Sequence, residues 1–583
     1  MTASPNPHNA SADRSQSTLH TSFPGFSAEI MDRLRGVGVE EFYEAGCFLF
    51  NRGERDVDMF VVLEGTLEVF ESTGRGEDKI VAILTEGQFT GELDLLDSRA
   101  TLLDCRAVRR SHVLRISRLR LQHIMKSDIE IADLIMQASI GRRFDIVRHA
   151  SGGVVLIGHE HSAETIRLQR FLTRNGYPFR MLDAEADPDA DSLVHNFRLS
   201  AQELPVAVLP DQRVLRNPSN AVLADELGLT DLRDSSTVYD VAIVGAGPAG
   251  LAAAVYAASE GLSTIVIEGT APGGQAGTSS RIENYLGFPT GVSGQELSER
   301  SLVQAQKFGA RFAISRDVLS MSRHGGGYAL HLQDGEPVNT RAVIIATGAR
   351  YQKLNIPNYD RFEYQGIHYA ATAMEAGLCR GEEVVVVGAG NSAGQAALFL
   401  SQTAKLVHLL VRGENLQVTM SDYLVQRILS SRNICLHVRT ELAGMDGDDR
   451  LRSVTWCNNS SMQPETRQSE TREISNVFVM IGARPKTTWL CKSLAVDTKG
   501  FIITGSGAGS EAFFGTNQPG VYAVGDVRSG SVKRVASAVG EGSVVVSEIH
   551  NYLAAQDRIK DSLHSITSER IIPIGVQTFA AAI

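Results

Sequence analysis

The sequence predicts a multidomain chain: an antiparallel β-roll at the N-terminus, a small α/β domain after it, and a pair of interleaved α/β nucleotide-binding domains. Three observations carry this. Gly53, Gly65 and Gly87 cut the stretch around FLFNRGERDVDMFVVLEGTLEVFE into strand-length pieces, which suits an antiparallel barrel or roll. GGVVLIGHEHSAETIRLQRFLTRNGYPFRMLDAE reads as strand, turn, helix and strand. Finally, the glycine fingerprints GAGPAG and GAGNSA each follow an apolar strand, YDVAIV and EEVVVV.

The bulk numbers set limits. A chain of 583 residues is longer than one core can organise. Hydrophobic content of 43% and charged content of 21% suit a globular protein, and a net charge of −11 argues against a nucleic-acid partner. No apolar run reaches the roughly 18 residues of a membrane span, so no membrane partner is expected. Residues 1–25 are polar, without the apolar core of a secretion signal, and read as a disordered tail. None of the six cysteines, Cys47, Cys105, Cys379, Cys435, Cys457 and Cys491, is paired as Cys-x-x-Cys. That is neither a disulfide framework nor a zinc spacing, so no metal is expected and a reducing cytoplasm fits.

In the first segment, residues 26–148, the strands lead to FTGELDLLDSRATLLDCRAV. A Gly-Glu-Leu turn followed by Arg-Ala is a compact anion site: turn amides face a phosphate and Arg99 neutralises it. Glu92 is placed to accept from a ribose hydroxyl. This stretch resembles the cyclic-nucleotide-binding domains of the catabolite-activator type. The resemblance implies a phosphate cassette of Gly91, Glu92, Arg99 and Ala100, and a cyclic nucleotide as candidate ligand. The stretch between Gly-Glu-Leu and Arg99 is shorter than that family's, which leaves open a roll that kept its shape and lost its ligand. The helical spacing of LRLQHIMKSDIEIADLIMQASIGRRF fits the helix that follows such a roll. No DNA-reading helix-turn-helix follows.

Residues 151–232 continue to ELPVAVLPDQRVLRNPSNAVLADELGL. The segment resembles a glutaredoxin-like or thioredoxin-like fold, which implies a cis Leu204–Pro205 bond facing the start of the first helix. In that fold a redox motif opens the helix. Here the turn is GHEHSA, without cysteine, and Ser162 serves as an N-cap. A docking or spacer role is therefore expected.

Within residues 236–555 the first fingerprint places Gly245, Gly247, Pro248, Ala249 and Gly250 against a pyrophosphate, at a helix amino end. The next strand, STIVIE, ends in Glu268, placed for ribose hydroxyls. The second fingerprint, Gly388, Gly390, Asn391, Ser392 and Ala393, precedes KLVHLLVR, which ends in Arg412. An arginine there binds a 2′-phosphate and favours NADPH over NADH; the alternative is a solvated surface arginine.

Gly273-Gly274-Gln275, Glu283-Asn284-Tyr285, Ala346-Thr347-Gly348 and Gly525-Asp526 complete the pattern. With the fingerprints, they resemble the low-molecular-weight thioredoxin reductase family. The whole chain thus reads as a cyclic-nucleotide-binding-like β-roll, a thioredoxin-like domain and a flavoprotein of two dinucleotide-binding domains. The resemblance implies an FAD domain split over 236–352 and 490–555, an NAD(P)H domain inserted at 355–489, and a tail at 556–583. It implies FAD contacts at Gly274, Gln275, Asn284, Gly348, Gly525, Asp526, Arg534, Val535 and Ala536, and an NAD(P)H contact at Gly482. A homodimer is the family's precedent.

In that family a Cys-x-x-Cys takes electrons from the flavin. Here Ala370 and Ala373 of YAATAMEA stand at its cysteine positions. Alanine offers neither a nucleophile nor a leaving group, whereas hydride transfer from NAD(P)H to FAD needs no dithiol. The expected activity is FAD-dependent NAD(P)H oxidation with electrons passed to an external acceptor, protein or small molecule, and modulated by the N-terminal domain. The alternatives are a ferredoxin-NADP-type reductase, a thioredoxin-disulfide reductase as the family implies, a reductase that meets a partner's thiols directly at the flavin, and a non-catalytic redox and cyclic-nucleotide sensor.

Overall fold

The computed structural model describes residues 24–72, 78–91, 99–149, 152–187, 190, 203–232, 236–279, 281–363, 365–369, 371–459, 468–490 and 493–569. Glu92 and Ala370 lie outside the described residues, as do residues 1–23 and the apolar C-terminal stretch 570–583.

The N-terminal segment is a roll of two four-stranded antiparallel sheets. One runs Val39–Tyr43, Ser111–Ile116, Met59–Glu64, Phe89–Thr90; the other runs Phe48–Phe50, Asp104–Ala107, Leu67–Glu71, Lys79–Leu84. Its apolar interior is closed by the helices Ala28–Arg35, Arg118–Ser127 and Ile129–His149, with Phe26 stacked on Phe89 at 4.5 Å.

The second segment is a four-stranded sheet in the order Phe179–Asp183, Val154–Gly158, Val206–Val208, Val214–Arg216. The first pair is parallel and the others antiparallel. Leu204–Pro205 is cis. Ser162 accepts from the Thr165 amide at 3.2 Å and starts the helix Ala163–Arg174. That helix buries Ile166, Leu168, Phe171 and Leu172 and leaves its arginines facing outward from the core. Phe171 and Leu172 share one apolar cluster with Leu251 and Ala257 of the next segment, so no solvent layer separates the two.

A seven-stranded sheet follows. Val238–Val244 is flanked in parallel by Thr264–Glu268 and Val338–Ile345, and Val521–Ala523 returns beside the latter. The Ala-rich helix Pro248–Ser259 packs on it; its small side chains let the helix Val535–Glu569 lie close, with Val545, Val546 and Ile549 buried. That last helix continues past the boundary expected at 555.

Inserted between Ile345 and Val521 is a five-stranded parallel sheet: Ile367–His368, Val477–Val479, Glu383–Val387, Leu406–Val411, Ile434–Val438. Val384, Val385 and Val386 are fully buried, each contributing about 1.5–3 kcal/mol of transfer free energy. A three-stranded antiparallel sheet, Thr440–Gly447, Leu451–Asn458 and Gln468–Arg472, covers one face. The strands Ala349–Tyr351 and Ala483–Pro485 pair as the neck joining insert and host. Among the described residues, no helix is long and apolar enough to cross a membrane.

Candidate functional site

The first fingerprint occupies the turn between the strand Val238–Val244 and the helix Pro248–Ser259. At Gly245, with φ of +105°, a Cβ would lie 2.4 Å from the Ala346 carbonyl oxygen, so strand and turn can approach only without a side chain. Gly247 differs: the nearest atom to its imagined Cβ is 4.0 Å away. This open space above the helix amino end is the cradle a pyrophosphate needs. Glu268 ends the adjacent strand, its two carboxylate oxygens accepting from the Ala246 and Thr270 amides at 2.8 and 2.9 Å. The acid is thereby fixed beside the turn.

Three other chain segments converge there. The Gly273 amide donates to the Ala246 oxygen at 2.7 Å, pinning Gly273, Gly274 and Gln275 onto the turn. Gln275 Nε2 donates to the Ala349 carbonyl, and Gly348 has open space beside it. The Gly525 amide donates to Glu541 Oε2 at 2.6 Å, and Arg528 Nη2 pairs with Glu541 Oε1 at 2.5 Å. Glu541 is a positioning residue the sequence reading missed, because it lies 16 residues beyond Gly525, inside the last helix. Burial pushes the Asp526 carboxyl above the usual carboxylate range, with Lys533 opposing. A half-buried acid of that kind gains from a hydroxyl donor, which a ribitol chain supplies. Val535 is half-buried at the start of the last helix, Arg534 and Ala536 are exposed beside it, and Asn284 is exposed. The open cradle, the fixed acid and the half-buried Asp526 fit FAD.

The second fingerprint repeats the arrangement. Gly390 carries no atom within 4 Å of an added Cβ, leaving the helix Asn391–Leu400 open at its amino end. Asn391 is held by Ser421, Oδ1 accepting the Ser421 amide at 2.7 Å and Nδ2 donating to Ser421 Oγ at 3.0 Å. Ala393 is buried under the turn, Ser392 is exposed, and Gly388 and Gly482 lie on the turns at the strand ends. Arg412 is exposed at the end of its strand, 3.8 Å from Glu441. The open cradle and the exposed cation fit NADPH.

Arg99 and Ala100 are both buried, with the Arg99 guanidinium acting on the Glu299 carboxyl, and Gly91 lies just past the short strand Phe89–Thr90. Ala371 is buried, and Ala373 starts the six-residue helix Ala373–Leu378. Thr372 donates its amide to Glu375 Oε2 at 3.1 Å. Cys379 ends that helix, fully buried, its thiol donating to the Glu375 carbonyl at 3.2 Å. Burial, then Glu382, pushes this thiol up to about 12. It is a packing residue and not a nucleophile.

The sequence reading named no metal ligands. Yet donor atoms of His408, Cys435 and His437 all lie within 4.8 Å of one another. The signal available was Cys-x-His, which in a strand puts both side chains on one face.

The family described as "Pyridine nucleotide-disulphide oxidoreductase" matches residues 239–542, and that described as "Cyclic nucleotide-binding domain" matches residues 40–128. NADPH-dependent thioredoxin reductase 3 of Arabidopsis thaliana is 30% identical over 378 residues, 61% of this chain and 68% of that protein. Thioredoxin reductase of Treponema pallidum (strain Nichols) is 33% identical over 320 residues, 54% of this chain and 98% of that protein. The crystal structure of Lactococcus lactis thioredoxin reductase in its FR conformation aligns with a TM-score of 0.50 at 30% identity, covering 54% of this chain and 99% of that one.

Proposed function

Because the chain belongs to the pyridine nucleotide-disulphide oxidoreductase family, we propose that it oxidises NADPH and passes the electrons through FAD to an external acceptor without an internal dithiol. It is an NAD(P)H-dependent flavoprotein oxidoreductase of the thioredoxin-reductase type, with FAD and NADPH as cofactors. FAD, when bound, supplies the chemistry: it accepts a hydride and yields electrons onward. The protein's part is binding and orientation. Glu268, Gln275 and Asp526 hold the flavin nucleotide, and the open turn at Gly390 holds NADPH.

One observation carries the acceptor's being external. Alanine occupies both cysteine positions of the family's dithiol, and Cys379, the nearest thiol in sequence, is buried and held protonated. Anaerobic stopped-flow mixing of the FAD-loaded protein with NADPH, read at about 450 nm, tests the first half. Rapid bleaching is expected. Reoxidation is then compared with thioredoxin, ferredoxin and a quinone. Fast turnover with thioredoxin that persists in Cys379→Ala would support direct reduction of the partner's disulfide by the reduced flavin, the S–S bond opening to two thiols. No bleaching at all would favour a sensor without catalysis.

Modulation by the N-terminal roll is favoured by the helix Gly294–Lys307. Its Val303 belongs to the roll's core cluster, and Lys307 lies 3.7 Å from Asp133. Burial holds the Glu299 carboxyl above its usual range, and the Arg143 and Arg99 guanidinium groups oppose that. Gln295 Nε2 links Glu299 Oε1 at 2.9 Å with the Thr173 carbonyl at 3.0 Å. Ser298, one turn away, is packed so close to Gly273 that a Cβ there would lie 2.1 Å from Ser298 Oγ. An anion that recruits Arg99 is therefore felt at Glu299, and along one helix at the flavin-side loop. A ligand shifts activity this way only by binding two conformations unequally. Cyclic AMP and cyclic GMP are expected to change the melting temperature and the NADPH oxidation rate, and Glu299→Gln to uncouple the two responses. Unchanged Tm and rate at saturating nucleotide would end this reading.

A further inference from the structure

We propose that His408, Cys435 and His437 form a transition-metal site on the inserted domain, with a donor set of two imidazole nitrogens and one sulfur suited to zinc. The argument begins with strand register. Leu406–Val411 and Ile434–Val438 are parallel neighbours, and the pairing sets His408 opposite Cys435 and Leu410 opposite His437. The two-residue period puts Cys435 and His437 on one face. The pairing brings His408 to the same face, so the three side chains close a triangle. Because Ile434–Val438 is the edge strand of the sheet, that triangle opens to solvent at the exposed Cys435.

The two rings face each other directly. His408 Nδ1 lies 3.0 Å from His437 Nε2. A tetrahedral ion with metal–nitrogen bonds of about 2.0–2.1 Å needs its nitrogens roughly 3.3–3.4 Å apart. A few tenths of an ångström therefore separate the hydrogen-bonded pair from a metal-bridged one. The outer nitrogen of the buried ring is also accounted for: His408 Nε2 lies 3.4 Å from Glu383 Oε2. A carboxylate there holds the proton on Nε2 and leaves the Nδ1 lone pair facing inward, the arrangement that commonly orients a metal-bound imidazole. The Trp456 ring sits 5.2 Å from the His408 ring and 5.5 Å from the His437 ring, an apolar wall beside the two imidazoles. Trp456 is itself fixed by its indole N–H donating to Glu470 Oε2 at 3.2 Å.

The donor types select the ion. Two imidazoles and a thiolate suit a borderline-soft cation and disfavour calcium and magnesium, which take oxygen. Three protein ligands leave a fourth, solvent-facing position. Neither nucleotide fingerprint contributes a ligand.

The test uses the full-length, FAD-loaded protein, stripped with a chelator and then titrated with zinc chloride by calorimetry, with elemental analysis after desalting. About one zinc per chain is expected in the wild type, with affinity lowered about tenfold or more in Cys435→Ser and in His437→Ala. Flavin content and NADPH-driven bleaching report that the variants are folded and should match the wild type. Bound zinc should also protect Cys435 from iodoacetamide. Equal zinc affinity in wild type and Cys435→Ser, or no zinc retained by the wild type, would overturn the proposal and leave a hydrogen-bonded histidine pair stacked under a tryptophan.

Discussion

Arg170 of the second module reaches across to the insert: its Nη2 lies 3.1 Å from His368 Nδ1, and its Nε lies 3.5 Å from Glu375 Oε1. His368 immediately precedes YAATAMEA, and Glu375 is its seventh residue. The same helical stretch also grips the host domain, since Arg174 donates to the Gly274 carbonyl at 3.1 Å and Asn175 to the Thr270 carbonyl at 3.2 Å. The cysteine-free module thus holds the insert at one point and the Thr270–Gly274 loop of the host at another.

Arg170→Ala leaves the buried Glu375 carboxylate without this cation. A loss of about 1–3 kcal/mol is expected from urea unfolding, because a buried charged acceptor then lacks a charged donor. Arg170→Lys should recover only part, since an ammonium cannot meet an imidazole and a carboxylate in the guanidinium's planar geometry. A variant as stable as the wild type would show the contact to be energetically neutral.

Burial first, and Arg170 second, lower the His368 ring to about 4, while Asn476 and Glu375 oppose. The native state therefore binds fewer protons than the unfolded chain between about 6.5 and that value. The contribution is complete above the unfolded value and is lost as pH falls through the folded one. On the order of 3 kcal/mol is at stake. Denaturation followed from pH 7 to pH 4 should fall less steeply in His368→Gln, whose side-chain amide can still donate to Asn476; parallel curves would contradict this.

The two kinds of fingerprint glycine should separate in mutagenesis. Gly245→Ala meets the Ala346 carbonyl at 2.4 Å with φ of +105°, so the flavin-to-protein ratio should collapse. Gly390→Ala meets no protein atom within 4 Å, so flavin content should be normal. Its methyl fills the pyrophosphate cradle, however, and KM for NADPH should rise about tenfold or more. An unchanged KM would place the nucleotide elsewhere.

Arg412→Ala should lower kcat/KM for NADPH about tenfold while leaving NADH almost untouched, the loss of one charge-assisted phosphate contact. If both nucleotides fall together, Arg412 is a surface arginine held only by Glu441.

With its thiol pushed up to about 12, Cys379 should resist a disulfide reagent in the native protein at pH 8 and react only on unfolding. Cys379→Ala should oxidise NADPH at the wild-type rate. Fast native labelling, or loss of turnover, would return a thiol to the mechanism.

Much of the nucleotide-binding architecture was legible because its signals are local. A strand, a glycine turn and a helix lie within a dozen or so residues, and the steric demand at Gly245 can be read from the motif. The Ser162 cap was likewise readable from neighbours in sequence, whereas the cis Leu204–Pro205 bond was expected only from the resemblance to a thioredoxin-like fold. The role of Glu541 and the Arg170 contacts were not, because each joins residues far apart along the chain whose proximity is set by how helices pack.

By itself the sequence determined that a cyclic-nucleotide-binding domain precedes the oxidoreductase, that two glycine turns follow apolar strands, and that no Cys-x-x-Cys is present, since each depends on residue type at fixed spacing. Only the tertiary structure decided that Cys379 is sealed in a core and that the helix Ala163–Arg174 bridges insert and host. It also brought His408 to the same face as Cys435 and His437. Burial and strand register are properties of the packed chain: they fix desolvation and distance, and those two quantities turn a thiol inert or make three scattered side chains a ligand set.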